Sequence, residues 1–248
     1  KHFYLKGLNT FLVRQIGSKI RTNYLIMAVV CGLLTITLCA VSIGTSTGLA
    51  MNALASAATP YDLTVMSDVS RDGDSSIAEY LADHDVQMSD YAERMEQISV
   101  YNADMLYKDL FEGQTLNLWP IDEAAPDTEV VVISISDFNR ALSMQDKAPI
   151  SLADDAYLLN CNYEGTLSYV EEALRTHPEL TIGGITLHRA SEEVLHETYW
   201  MTSIGNNDRG TLIVPDYVVD TLVKEANFLL VQYKASTNPD EVLQKMIP

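Results

Sequence analysis

Residues 22–61 form an uninterrupted stretch without a charged side chain, and its most apolar part is residues 24–44 (YLIMAVVCGLLTITLCAVSIG). About twenty apolar residues, at roughly 1.5 Å of helical rise each, match the roughly 30 Å hydrocarbon core of a bilayer. A charged side chain at the centre of such a helix would cost about 2.5–3.5 kcal/mol. The stretch therefore predicts one membrane-spanning helix.

The residues before this apolar stretch carry only positive charges, and all acidic residues of the chain lie after it. The first acidic residue is Asp62, and the basic residues before it are Lys1, Lys6, Arg14, Lys19 and Arg21. The whole chain has 16 basic and 34 acidic residues, so residues 62–248 keep 11 basic against 34 acidic, a net charge of −23. Because basic flanks stay on the cytoplasmic side, the pattern predicts a cytoplasmic N-terminus and an extracellular acidic part.

So acidic a domain repels phosphate, which excludes nucleic acid as a partner. It can attract cationic ligands, such as a basic peptide. Alternatively, the negative charge only keeps copies of a soluble domain apart by electrostatic repulsion.

The residues before the apolar stretch have the pattern of an amphipathic helix. Apolar residues recur at three- and four-residue steps, and the basic residues lie largely off that stripe. We expect residues 1–22 to form a cytoplasmic interfacial helix before the chain turns into the bilayer. The alternative is a linker whose charges only set topology. The residues assigned to this helix are Leu8, Phe11, Leu12, Arg14, Ile16, Lys19, Ile20 and Arg21.

The predicted membrane helix has small residues along its second half. Gly44 and Gly48 are spaced as G-x-x-x-G, which allows the close approach of another transmembrane helix. Strong helix formers without charge continue as far as Pro60, which ends a helix. We therefore predict a transmembrane helix with an outward extension over residues 23–58.

Residues 59–248 mix strand and helix patterns, which indicates an extracellular α+β domain, in one unit or two subdomains, incomplete at its C-terminus. Strands are predicted at 61–66, 98–107, 130–134, 157–161, 180–188, 194–201, 212–214 and 228–233. Helices are predicted at 76–83, 90–95, 137–144, 166–176, 217–225 and 239–246.

Two groups of residues resemble FtsX-like ABC transporter permeases, in particular the Gram-positive type related to bacitracin-resistance permeases, with a MacB-like fold. The first is residues 6–23 (KGLNTFLVRQIGSKIRTN), followed by the small-residue-rich helix and residues 59–62 (TPYD). The second is residues 133–142 (ISISDFNRAL), with Pro149-Ile150 and residues 157–159 (YLL) after it. Whole permeases of this family have several membrane helices, so the resemblance implies that this chain is an internal piece of one.

The resemblance also implies a function. Family members couple ATP hydrolysis by a separate cytoplasmic ATPase to an extracellular domain, often by mechanotransmission. They act on antimicrobial peptides, lipids or cell-wall intermediates, in export or in resistance. The implied partners are that ATPase subunit, the lipid bilayer, and other permease helices or a second permease copy.

No catalytic motif stands out in the sequence. There is no G-x-x-x-x-G-K-[ST] phosphate loop and no G-x-S-x-G elbow, so any ATP is bound by a partner and no cofactor is expected. His188, Glu192, Glu193 and His196 are either a weak metal-ligand group or ordinary surface residues, because His-Glu-x-x-His is absent. Cys161 is the only thiol outside the apolar stretch, which excludes a disulfide framework and favours a small buried side chain.

Three points stay open at this stage. Trp119, Tyr199 and Trp200 line a ligand surface or pack in the core. A single-pass, membrane-anchored extracellular binding or sensor protein is the alternative to a permease. A secreted hydrolase is a third hypothesis, because Ala53-Leu54-Ala55 resembles a signal-peptidase site, although the apolar stretch is long for a signal core.

Overall fold

A computed structural model of the chain describes residues 9–116, 125–201 and 208–246. Its internal contacts divide the chain into two compact units, residues 1–54 and residues 55–248. An interfacial helix, one transmembrane helix and an α+β domain were predicted from the sequence. The structure confirms a long apolar N-terminal helix followed by a domain of mixed helices and strands with one sheet.

Helix α1 extends from Asn9 to Ala58 and ends two residues before Pro60, as the sequence predicted. It continues without a break through residue 22, where we expected the chain to turn. The division between an interfacial segment and a spanning segment therefore stays a prediction from sequence. Thr10–Met51 is the one helix in the described residues that is long and apolar enough to cross a membrane, and none of its most apolar window is buried.

The second unit contains one eight-stranded sheet, in the order β1-β8-β2-β3-β7-β4-β6-β5. Strands β3 and β7 pair in parallel, as do β4 and β6, and the other neighbours are antiparallel. The strands are β1 Leu63–Asp68, β2 Ala92–Leu106, β3 Glu129–Ser134, β4 Ala156–Asn160, β5 Glu179–Ile182, β6 Ile185–Arg189, β7 Thr211–Val214 and β8 Val223–Tyr233.

Short helices connect and cover these strands. They are α2 Val69–Asp72, α3 Ile77–Asp83, α4 Met88–Tyr91, α5 Tyr107–Leu110, α6 Ile135–Met144, α7 Glu164–Thr176, α8 Asp216–Val219 and α9 Pro239–Met246, with a 3-10 turn at Ala125–Asp127. Helix α6 begins where the Ser134 hydroxyl accepts a hydrogen bond from the Asp137 amide at 3.1 Å. Helix α3 begins in the same way at Ser76. Such hydroxyls satisfy amides that the helix itself leaves unpaired.

The central strands are buried on both faces, which explains their continuous apolar sequences. On one face, Val132 and Leu159 contact a core that includes Val170 of α7. On the other face, Ile133 contacts a core that includes Phe138 of α6. A third core lies under α3 and α9, beside β1 and β8. Because successive strand residues point to opposite faces, α6 and α7 cover opposite sides of the sheet.

Four of the predicted elements are wrong. Residues 180–188 were predicted as one strand, but they form the antiparallel hairpin of β5 and β6 with a turn at Gly183-Gly184. Residues 90–95 were predicted as a helix, but β2 begins at Ala92, which pairs with Tyr233 of β8. Residues 194–201 were predicted as a strand, yet they form an irregular segment with one isolated bridge, from Leu195 to Asn160. The helix predicted over 217–225 ends at Val219, and residues 223–225 already belong to β8.

Candidate functional site

The side chains assigned to the interfacial helix are exposed wherever the structure describes them. Phe11 is 59% and Ile20 is 63% exposed, and Leu12, Ile16, Arg14 and Lys19 are exposed as well. Leu8 lies outside the described residues, and Arg21 is described only as part of the α1 backbone. An apolar surface of this size is normally covered by lipid or by another protein.

Gly44 and Gly48 lie on the surface of α1. A Cβ atom built on either glycine would have no atom within 4 Å, so this face is uncovered in the chain as described. Nearby hydroxyls are satisfied within the helix: Thr35 donates to the Cys31 carbonyl at 2.8 Å, and Thr45 donates to the Val41 carbonyl at 2.9 Å. Polar groups with internal partners are what a helix requires in hydrocarbon.

The histidine and glutamate group does not come together as a metal site. His188 Nδ1 lies 3.4 Å from a carboxylate oxygen of Glu179, and His196 Nδ1 lies 2.8 Å from the Cys161 carbonyl oxygen. Within residues 9–116, 125–201 and 208–246, no three His, Cys, Asp or Glu side chains are placed to hold a metal ion. Glu192, Glu193 and His196 instead line an open cleft of about 560 Å³.

A smaller pocket of about 250 Å³ lies where the ends of the central strands meet residues 199–200. We call it the acidic pocket, because its walls combine three carboxylates and one basic side chain, Arg209, with three aromatic side chains. The carboxylates are Glu129, Asp208 and Glu225, and the aromatic side chains are Tyr107, Tyr199 and Trp200.

Irregularities in the strands place the two glutamates at this pocket. Glu225 falls between the paired positions Ala226 and Lys224 of β8, so it forms a bulge opposite β2. Glu129 is the first residue of β3, next to a second register shift in β2. Bulges re-aim side chains, and they often occur beside functional sites.

Asp208 is the buried member of the pocket, with 6% of its surface exposed. Its carboxylate accepts hydrogen bonds from the Gly210 amide at 3.0 Å and from the Thr211 hydroxyl at 2.8 Å. It also accepts a short hydrogen bond from the Asn160 side chain. The Asp208 amide in turn donates to the Asn162 side chain at 3.0 Å. The carboxylate therefore ties β7 to the end of β4.

Burial has the largest effect on the pKa values of Asp208 and Glu225. It raises the pKa of Asp208 to about 6, although the three hydrogen bonds act in the opposite direction. Burial also raises the pKa of Glu225, and the negative charge of Glu129 adds to that effect. Glu129 and Glu225 are exposed, and like charges this close favour a positively charged neighbour; Arg209 lines the same pocket.

Residues 197–200, which we call the 197–200 segment, are held mainly by side chains of other elements. The Asn160 side chain accepts from the Glu197 amide at 2.8 Å and donates to the Glu197 carbonyl at 2.9 Å. The Tyr199 hydroxyl lies 2.8 Å from that of Thr211, and its ring packs 5.8 Å from the ring of Phe138. Trp200 packs on Phe228 with ring centroids 4.9 Å apart. Both aromatic residues therefore pack in the core and also line the pocket.

Cys161 is not a candidate nucleophile. It is fully buried, and burial raises the pKa of its thiol to about 12. Since the thiolate is the reactive form, this cysteine is a packing residue, as the sequence indicated. Trp119, the other aromatic candidate, lies outside the described residues.

Sequence reasoning missed the acidic pocket. Its carboxylates come from positions far apart in the chain, and only the sheet order brings β3, β7 and β8 together there. In so acidic a sequence, no local signal distinguishes Asp208 from the other carboxylates. The one usable hint is the polar pair at the end of an apolar strand, with Asn160 as the last residue of β4 and Asn162 just after it.

Comparison with known proteins does not place the chain in a family. No protein-family model matches the sequence, and no curated protein is significantly similar to it. Among solved structures, a 1.5 Å crystal structure of a candidate lipoprotein from Bacillus anthracis aligns with 74% of this chain and 89% of its own, at 10% identity and a TM-score of 0.37. A score this low does not establish a common fold.

Proposed function

We propose that α1 crosses a membrane, with the N-terminus in the cytoplasm and residues 59–248 outside the cell. The observation that carries this proposal is the exposed apolar surface of Thr10–Met51, which has no charged residue after Arg21. The side chains of this helix require an apolar solvent, and the basic residues before it favour this orientation. A bilayer supplies that solvent.

Within this arrangement, the chain acts as a permease subunit of an ABC transporter of the FtsX-like type. It is not itself an enzyme, because a separate cytoplasmic ATPase binds and hydrolyses ATP. The support comes from the sequence resemblance and from the uncovered Gly44 and Gly48 face, which suits contact with a further permease helix or a second copy. The extracellular domain acts on peptides, lipids or cell-wall intermediates.

A cationic peptide is the ligand that the charge of the domain favours most. Residues 62–248 carry a net charge of −23. The acidic pocket adds the exposed carboxylates of Glu129 and Glu225 beside aromatic rings, and their charge outweighs that of Arg209 in the same wall. Such a combination attracts an ammonium or guanidinium group.

The first test is the purification of the intact native protein from membranes, with the identification of co-purifying proteins and an ATPase assay. We expect a stoichiometric partner with a phosphate loop and vanadate-sensitive ATP hydrolysis. A well-folded preparation that repeatedly contains no ATPase would refute the permease function.

Substitutions in α1 test the packing face separately. Gly44→Leu and Gly48→Leu add bulk where a second helix would approach, and we expect them to reduce co-purification of the partner helices. Gly32→Leu is the matched control, since Gly32 also has no neighbour within 4 Å and lies about 120° around the helix from Gly44. Equal behaviour of all three variants would show that this face does not pack.

The second candidate function is a single-pass, membrane-anchored binding protein. The acidic pocket favours it, because a ligand site in the domain does not require a transporter. Retention of ligand binding in the Gly44→Leu and Gly48→Leu variants, together with the absence of an ATPase partner, would support it over the permease.

A further inference from the structure

Tyr61 lies just after the end of α1, and its side chain is buried in the domain with a hydrogen-bonded hydroxyl. The residue is 3% exposed and follows the end of α1 at Ala58 by three positions. Its hydroxyl lies 3.0 Å from the Ala141 carbonyl oxygen and 3.3 Å from the Tyr199 carbonyl oxygen. It also accepts a hydrogen bond from the Gln145 side chain at 2.9 Å. One side chain next to α1 therefore contacts both α6 and the 197–200 segment.

Gln145 extends this contact. Its amide nitrogen also donates to the Thr198 carbonyl at 2.7 Å. The backbone of the 197–200 segment is thus held at two consecutive carbonyls, one by Tyr61 and one by Gln145. Because this segment belongs to no strand, the side chains that hold it determine its position to a large extent.

The same segment leads to the acidic pocket. The Tyr199 hydroxyl donates to Thr211, whose own proton is directed to Asp208, so a chain of hydrogen bonds continues to the buried carboxylate. Tyr199 and Trp200 also form part of the pocket wall. A displacement of Tyr61 by a few tenths of an ångström would weaken the bonds that hold this wall.

We propose that Tyr61, through Gln145, couples movement of α1 to the position of the 197–200 segment and hence to the shape of the acidic pocket. This proposal rests on the proposed function, because it requires that α1 lies in a membrane. Tyr61 is a positioning residue that acts through the segment; it is not among the residues that line the pocket.

The test uses the full chain in lipid nanodiscs of two acyl-chain lengths, since a change in bilayer thickness tilts or shifts a spanning helix. Hydrogen exchange of the amides in the 197–200 segment is the readout. In the wild type, we expect these exchange rates to differ at least twofold between thin and thick bilayers. In Tyr61→Phe, we expect exchange about fivefold faster than in the wild type, with no difference between the two bilayers.

Tyr157→Phe is the matched control. Tyr157 is also a buried tyrosine whose hydroxyl donates to a backbone carbonyl, that of His177, but it belongs to a different core cluster from Tyr199. It should keep the wild-type response. Gln145→Leu is the second coupling variant, in case Tyr61→Phe does not fold, and it should also lose the response.

Two outcomes overturn the proposal, and they are distinguishable. Cys31 and Cys39 lie on the exposed surface of α1, so a bilayer should shield them from a charged, water-soluble thiol reagent. Rapid labelling of both in nanodiscs would show that α1 is not inserted, which refutes the membrane function and the coupling with it. If the cysteines are shielded, the membrane function stands. The coupling alone is then refuted if hydrogen exchange in the wild type does not differ between the two bilayers, or if Tyr61→Phe and Gln145→Leu keep the wild-type difference.

Discussion

The ionisation of Asp208 predicts how the free energy of unfolding of the domain depends on pH. The Asp208 carboxyl has an ordinary pKa of 3.8, and burial raises the pKa in the folded state to about 6. The folded protein therefore binds a proton more tightly than the unfolded chain does. At about 1.4 kcal/mol for each pKa unit, this shift of about two units corresponds to about 3 kcal/mol.

The sign of the effect follows from proton binding. Below pH 3.8 the carboxyl is protonated in both states, and between 3.8 and about 6 the folded state holds more protons. The free energy of unfolding should therefore fall by about 3 kcal/mol as the pH rises through this range, and the Asp208 contribution should be constant above it. Stability at neutral pH thus includes an unfavourable term from this buried charge.

The perturbation that isolates this term is Asp208→Asn. The asparagine oxygen can still accept from the Gly210 amide and Thr211, but its amide group meets the Asn160 donor, so we expect a less stable protein at acidic pH. The free energy of unfolding is measured by urea titration of the full chain in detergent, followed by tryptophan fluorescence, at several pH values. We expect the difference between wild type and variant to shrink by about 3 kcal/mol between about pH 4 and pH 7.

The control is Asp104→Asn, which removes one negative charge from an exposed position. Its difference from the wild type measures the effect of removing one negative charge without the burial that Asp208 has. If the Asp208→Asn difference is independent of pH, or grows as the pH rises, the three hydrogen bonds outweigh burial and the reasoning is wrong.

Two further predictions concern the hairpin turn and the buried thiol. Gly183→Ala should destabilise the protein by about 3 kcal/mol, because φ is +56° and the new Cβ would lie 2.1 Å from the Thr221 hydroxyl oxygen. Gly184→Ala, at φ +78° with no atom within 4 Å, should cost only about 1 kcal/mol, and equal losses in urea titration would contradict the steric argument. Cys161 should stay unlabelled by a thiol reagent at pH 8 until the protein is unfolded, since it is buried and burial raises its pKa to about 12. Mass spectrometry measures the labelling, and a labelled native protein would show that the site opens.

Several elements were predictable because their signals are local. The β-branched sequence of β3 and the serine caps of α3 and α6 identify these elements without tertiary information. The end of α1 follows from the fixed backbone of Pro60 in the same way. The absence of charge from residue 22 to the end of α1 is also plain in the sequence.

Most of the failures depend on partners distant in sequence; the hairpin at residues 180–188 is the exception, because its turn signal, Gly183-Gly184, is local. Ala92 extends β2 because Tyr233 is there to pair with it, and residues 223–225 are strand because β2 lies beside them. Residues 194–201 alternate like a strand, yet β4 already has β6 and β7 on its two sides. Their backbone therefore bonds largely to side chains such as Asn160 and Gln145. The acidic pocket and the Tyr61 contacts have the same origin, so no local pattern could predict them.

The adjacency of β1 and β8 has a topological consequence. These are the first and last strands of the described domain, and β1 pairs with β8 along its full length, from Leu63–Val231 to Asp68–Ala226. The Asp62 carboxylate also accepts a hydrogen bond from the Tyr233 amide at 2.7 Å. The start of β1 lies beside the end of β8, so a short linker could join these two strands. New termini could then be opened at the turn Gly183-Gly184. The domain is thus suited to circular permutation, and equally to insertion within a host polypeptide without stretching it.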